Sequence, residues 1–217
     1  MFHEWPQIIR RGLTSRQKGK EDKKMVEINW EKDFKTALEK AKKTGKPIYH
    51  DFWFDGWIGC AQMNTGPYSN AKVQKFIMEN FIPLKSQCLW DKPTELMQKF
   101  EIKWTPTFII HDPEGKEHHR MVGYLPVDDL IAQLILAKGK IYFNTDRLPE
   151  AIAQFQTVID QYPNAGPAPE AIFWLGVAGY KHTHDPKSLR QIYDRLTAKY
   201  PQSEWTRRAK PYSAIPL

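Results

Sequence analysis

Residues 47–63, Pro-Ile-Tyr-His-Asp-Phe-Trp-Phe-Asp-Gly-Trp-Ile-Gly-Cys-Ala-Gln-Met, constrain the fold more than any other stretch of the chain. Ile48 to Phe54 are mostly β-branched or aromatic, too few for a lone helix, and Gly45 and Pro47 stop whatever precedes them. A buried central strand fits this run. Gly56 and Gly59 then turn the backbone sharply, and Cys60 opens a helix whose free N–H groups favour a nearby thiolate. A buried central strand calls for neighbouring strands and covering elements from elsewhere in the chain.

The remaining chain supplies them. Asn29 can cap a helix over Trp30–Thr44, with Phe34, Ala37, Leu38 and Ala41 on one face and Gly45 as its stop. Thr65-Gly66-Pro67 breaks the helix begun by Cys60, and Asn70 caps a second piece that turns Val73, Phe76 and Ile77 inward. Phe81–Trp90 reads as a strand, Pro93–Phe100 as a short helix, and Thr107–His111 with Glu117–Val122 as an antiparallel hairpin. After Val127 the strand signal ends. Helices are predicted over Ala137–Asn144, Leu148–Tyr162, Pro167–Lys181 and Pro186–Tyr200, with Ser203 capping a last one around Trp205. An internal repeat runs through them: Tyr142, Ala151, Phe155, Val158, Tyr162 and Pro163 recur 38 positions on as Tyr180, Leu189, Tyr193, Leu196, Tyr200 and Pro201.

Asp51-Phe52-Trp53 before the turn, Trp57-Ile58-Gly59-Cys60 in it, Lys103-Trp104-Thr105-Pro106-Thr107-Phe108 and Gly123-Tyr124-Leu125-Pro126 together resemble the thioredoxin superfamily. Tyr68-Ser69-Asn70-Ala71-Lys72-Val73 points to the thioredoxin-like domains of bacterial thiol:disulfide interchange proteins. The 38-residue repeat resembles tetratricopeptide repeats, although that family's period is 34. The resemblance implies an α/β thioredoxin-like fold, a mixed sheet flanked by helices, over residues 26–137, followed by an all-α tetratricopeptide-like helical hairpin unit over residues 138–217. It also implies a cis bond before Pro106, and places Cys60 on the motif's second cysteine with Trp57 where the first, attacking cysteine belongs.

That substitution divides the functional readings. Dithiol chemistry needs a low-pKa thiolate that attacks and a second sulfur that resolves. Cys60 is therefore either a packing residue or a single reactive thiol assisted by Asp51 as proton acceptor. Cys88 is a second thiol, free and buried or able to pair with Cys60. Trp57, Trp90, Trp104, Thr105 and Pro106 form either a peptide-binding patch or packing beneath the helical unit. The expected function is a protein-binding adaptor using the helical repeats; the alternative is a single-cysteine thiol-disulfide oxidoreductase or redox sensor.

Composition narrows the remaining classes. The net charge of +7 is concentrated in residues 1–24, which hold seven Lys/Arg and three Asp/Glu; the rest carries 25 and 22. Without a nucleic-acid motif, that distribution argues against nucleic-acid binding. Residues 1–25 read as a disordered basic tail, or as an upstream stretch before a true start at Met25. Two cysteines and seven histidines make no metal or cofactor motif, and His118-His119, as strand neighbours, are expected on opposite faces and in solvent. No apolar run reaches the roughly 20 residues of a membrane span, and no secretory signal core is visible. A cytoplasmic protein without metal or cofactor, with protein partners, is expected.

Overall fold

The computed structural model describes residues 27–216, so the readings of the basic tail and of a start at Met25 lie outside the described residues. Strand β1 (Ile48–Trp53) is the centre of a four-stranded mixed sheet in the order β2-β1-β3-β4. It pairs in parallel with β2 (Ile82–Gln87) and antiparallel with β3 (Thr107–His111), which pairs antiparallel with β4 (Glu117–Val122). A strand bonded on both edges and covered on both faces must be apolar on both, which explains the near-continuous run noted above.

One face carries helix α1 (Phe34–Thr44), whose Ala37 and Ala41 pack on Ile48 and Leu84, and the short α4 (Glu95–Lys99) over Phe52 and Ile109. The other carries α2 (Ile58–Thr65), α3 (Ala71–Asn80) and α5 (Val127–Asn144), with Tyr49, Phe108 and Ile110 beneath them. Asn70 caps α3 as expected, accepting from the N–H groups of Lys72 and Val73. Asn29 does not cap α1. Glu31 is drawn into a parallel bridge with Leu84, which extends the chain through Trp30, and Asp33 becomes the cap, accepting from Thr36 N–H at 2.7 Å.

Helix α5 is longer than the predicted Ala137–Asn144 because Leu130, Ile131, Leu134, Ile135 and Leu136 are buried on several sides at once, which erases a one-sided period. It lies between the sheet and α6 (Leu148–Gln161), α7 (Ala168–Thr183), α8 (Lys187–Lys199) and α9 (Glu204–Ala209). Gly139 lets Phe155 of α6 approach: a Cβ there would lie 2.5 Å from the ring. Gly176 does the same for Ile192, at 2.1 Å. The buried apolar residues of this face and of the helical region form one continuous cluster running from Tyr49 and Phe108 through α5 to Leu196 and Ala209. Phe143, near the end of α5, meets Trp174 of α7 edge to face at 5.2 Å, so the contact with the sheet is carried by the earlier turns of α5 rather than by this pair.

The two histidines of β4 depart from expectation. A bulge at Ile110/His111 makes His118 an extra residue, and both imidazoles reach the side of α5. His118 Nε2 lies 2.8 Å from Asp112 Oδ2 and its Nδ1 accepts from Asn144 at 2.9 Å. His119 sits 2.7 Å from Gln133 and 3.1 Å from Lys140, whose ammonium pairs with Glu170 at 2.5 Å. The solvated expectation fails here: these residues form a polar seam along an apolar junction.

On the opposite face His50 and His111, both fully buried, stand 3.3 Å apart among Phe34, Phe52 and Phe100. Burial, with the neighbouring ring for His50, pushes His50 well below the usual histidine range; burial brings His111 to about 4 against the opposing pull of Glu117, Gly115 and Asp112. Below an unfolded value of about 6.5 the unfolded chain takes protons that the folded chain refuses, so this pair costs stability as pH falls from about 6.5 towards 4. Urea denaturation of wild type should lose on the order of 3 kcal/mol over that window from His111 alone, His50 adding to the loss, and the double substitution His50→Leu/His111→Leu should flatten that limb. A limb unchanged in the double variant would assign the acid sensitivity elsewhere.

Expression of residues 138–217 alone would cut α5 and strip Leu130 and Leu134 from Ala151 and Phe155 of the shared cluster. The fragment is expected to be poorly soluble or molten, without a cooperative thermal transition, since two repeats are fewer than the three usually needed for independent stability. A cooperative, monomeric fragment would show the opposite.

Candidate functional site

The sheet register brings several chain segments to one edge. Trp53 lies opposite Gln87, Phe52 opposite Thr107, and Thr107 opposite Val122, so the ends of β1, β2 and β4 and the approach to β3 share one rim. Here the chain exposes Ile58, Leu89, Trp90, Trp104, Val122 and Tyr124, leaving Tyr180 as the other large exposed apolar residue among those described. Side chains that belong in a core by composition are held in solvent at one end of the sheet.

A groove of about 570 Å³ runs through this rim, lined by Phe54, Trp57, Trp90, Asp91, Lys103, Trp104 and Thr105. Its rings form two pairs. Trp57 and Trp104 meet edge to face at 5.1 Å and 88°, and Phe54 and Trp90 lie tilted at 6.4 Å. Thr105 and Pro106 are both buried, and the bond between them is cis, as expected. Trp104 is 53% exposed and Trp90 39%, so these two are not packed beneath the helical unit. Phe54, Asp91 and Lys103 are site residues that sequence reasoning misses; Phe54 reads as strand, and the two charged residues carry no signal until the loops fold together.

Cys60 lies under the groove rather than in it. It is the third residue of α2, 4% exposed, and its Sγ accepts the Phe54 N–H at 3.5 Å. The turn is tight at Gly59, where a Cβ would stand 3.0 Å from Pro106 Cδ and 3.6 Å from the Trp57 ring. Burial pushes the thiol above its ordinary value, only partly offset by the Phe54 N–H, and the Asp51 carboxyl adds to the rise. The helix N-terminus does not reverse this. Cys88 is fully buried and is pushed up to about 12 by burial, then by Asp51 and Cys60. Both thiols are free.

Asp51 projects from β1 on the same face and is 2% exposed. Its Oδ2 accepts from the Tyr68 hydroxyl at 2.9 Å, Tyr68 shares a 2.8 Å hydrogen bond with the hydroxyl of Tyr49, and Lys85 Nζ stands 3.8 Å away. Lys85 is anchored on Asn64 Oδ1 at 2.9 Å and on the faces of Trp30, Trp53 and Tyr68. Asp51 Oδ1 has no partner among the described residues. Burial outweighs Lys85 and Tyr68 and raises the carboxyl to about 6. Asp51 and Cys60 are thus brought to the same region beneath the turn, Trp57, Trp104 and Thr105 line the groove, and Pro106 packs beside Gly59. The nearness of these two side chains makes no metal centre: among the described residues no group of three ligating side chains is placed to hold an ion.

Residues 34–138 match the family model described as a thioredoxin-like domain, and residues 133–165 that described as a tetratricopeptide repeat. The chain carries a thioredoxin-like domain followed by a helical region of tetratricopeptide type. It is 26% identical over 106 residues to the thiol:disulfide interchange protein DsbD of Ralstonia nicotianae, an alignment covering 48% of this chain and 17% of that protein. The chain therefore spans about a sixth of that relative's length. Among solved structures it is similar to a thioredoxin from Thermus thermophilus (25% identity, TM-score 0.44, 50% of this chain and 85% of that one). It is also similar to a putative disulphide-isomerase from Bacteroides thetaiotaomicron (21%, TM-score 0.45, 51% and 93%). Among the described residues no helix is long and apolar enough to cross a membrane.

The thioredoxin-like domain thus holds a buried carboxyl whose ionisation opposes folding. A folded value near 6 above an unfolded one near 3.8 means that the contribution is fully present below about pH 3.8 and is lost as pH rises through 6. Asp51→Asn should therefore stabilise the protein at pH 8 by on the order of 2–3 kcal/mol, with the advantage vanishing near pH 4. Urea titrations of both proteins at the two pH values check it; a variant destabilised at pH 8 but not at pH 4 would mean that Lys85 dominates the burial of Asp51.

Proposed function

We propose that this protein is a protein-binding adaptor built on a thioredoxin-like domain that has lost its attacking cysteine. The single observation that carries this reading is the arrangement of the motif turn: a tryptophan stands where the motif's attacking cysteine is expected, Cys60 is buried with its pKa raised, and the surface beside them is an apolar, aromatic groove. Such a turn favours recognition over thiol turnover, because the thiolate is both scarce and screened. In this proposal residues 26–137 present the groove and residues 138–217 add a second docking surface of the kind helical repeats supply. A cytoplasmic setting belongs to the same proposal, supported by two unpaired cysteines in a chain without a disulfide framework.

The alternative, a single-cysteine oxidoreductase acting through Cys60 with Asp51, is separated by reactivity. Iodoacetamide at pH 7 should modify Cys60 and Cys88 of the native protein slowly, on the order of 100-fold or more below the rate in urea, and the protein should not reduce a model disulfide catalytically. Cys60→Ser should keep its non-covalent partners. Rapid modification of Cys60 together with loss of captured partners in the serine variant overturns the adaptor and makes the protein a single-thiol redox protein.

A further inference from the structure

We infer that the rim groove takes a proline-rich segment in the polyproline II conformation, lying across both ring pairs with a basic residue towards Asp91 and an acidic residue towards Lys103. The inference rests on the adaptor reading and names the chemistry of its partner. The groove offers ring faces and indole donors in place of a strand edge. Among the described residues the tryptophan Nε1–H with a protein acceptor is that of Trp174, on Glu170 at 3.2 Å; those of Trp57, Trp90 and Trp104 are free to donate to a ligand. A polyproline II segment makes no internal hydrogen bonds, turns every carbonyl outwards as an acceptor and presents flat pyrrolidine faces, so crossed aromatic pairs with free indole donors suit it. A β-strand ligand instead needs a run of alternating backbone groups. This rim supplies loops, with Thr105 as the residue leading into β3.

Charge complementarity orients the ligand. Asp91 adjoins Trp90 in the Phe54–Trp90 pair and Lys103 adjoins Trp104 in the Trp57–Trp104 pair, so the two ring pairs carry opposite charges. Both charged side chains belong to exposed residues without an ion-pair partner among those described. An occupant that spans both pairs meets a carboxylate at one end and an ammonium at the other.

The test uses the full chain and two capped decapeptides with the same terminal charges, Glu-Pro-Pro-Leu-Pro-Pro-Leu-Pro-Pro-Lys and Glu-Val-Thr-Val-Thr-Val-Thr-Val-Thr-Lys, followed by tryptophan fluorescence and by the shifts of the indole N–H signals. The proline peptide should bind saturably and more tightly, with Trp104→Ala weakening it about tenfold or more and Trp104→Phe, which keeps a ring but lacks the donor, weakening it less. Asp91→Lys should weaken that peptide and strengthen a version carrying Glu at both ends, while Cys60→Ser should leave binding unchanged. Equal or tighter binding of the alternating peptide, or no saturable binding of the proline peptide, overturns the inference. If that happens while Cys60 stays unreactive, the adaptor reading stands with a different ligand; a fast-reacting Cys60 defeats the adaptor reading itself.

Discussion

The pairing of β1 on both edges is the constraint on which the rest depends. Because β2 bonds to it along Ile48–Trp53 and β3 along Ile48–Phe52, the strand ends are aligned to within one residue, and the loops that follow them converge on one rim. Full burial of Ile48, Tyr49 and Phe52 is worth roughly 1.5–3 kcal/mol per side chain, enough to hold two polar residues, His50 and Asp51, in the same strand. Those residues cost stability on opposite sides of neutrality. The histidines resist protonation and the carboxyl resists ionisation, so the two contributions oppose each other between about pH 4 and 6.

The electrostatics beneath the motif turn follow from that placement. Lys85 comes from β2, directly opposite Asp51 in the register, yet it stops 3.8 Å short and spreads its charge over Asn64 and three ring faces. An ion pair held so loosely does not overcome burial of the carboxyl. Tyr68 lends one hydrogen bond, but its own hydroxyl is shared with Tyr49, which leaves Oδ1 of Asp51 with nothing among the described residues. The result is a protonatable group below a thiol that is itself pushed up: at neutral pH the carboxylate discourages the thiolate it would need to assist.

The features legible in the sequence were those with local causes. Asn70 and Ser203 cap helices because a side-chain oxygen two residues from an N–H needs no tertiary help, and the apolar run of β3 is set by its own residues. The features that were not legible depend on a partner. Asn29 loses its capping role only because Leu84 captures Glu31, and His118 changes side only because the bulge inserts it. The extent of α5 is hidden because an apolar helix buried on several sides has no period to read. Most instructive are Trp104 and Trp174: nothing in their local sequence says that one stands in solvent and the other packs on Phe143 within the shared core. The residues of the candidate site were found through the motif, whereas Asp91, Lys103 and Phe54 became part of it only when separate loops were brought to the same rim.

The replacement of an attacking thiol by Trp57 changes more than one atom of chemistry. An indole adds a large apolar surface at the mouth of the turn and, against Trp104, builds a right-angled corner that a small thiol could not make. Gly59 then becomes necessary for a new reason, since the turn must pass within van der Waals contact of both Pro106 and that indole. The position that widens the groove is also the one from which the motif's first sulfur is missing, so no thiol stands at the mouth of the turn while Cys60 stays buried. In the adaptor reading proposed above, recognition and thiol exposure therefore compete for one position, and Trp57 resolves that competition towards recognition.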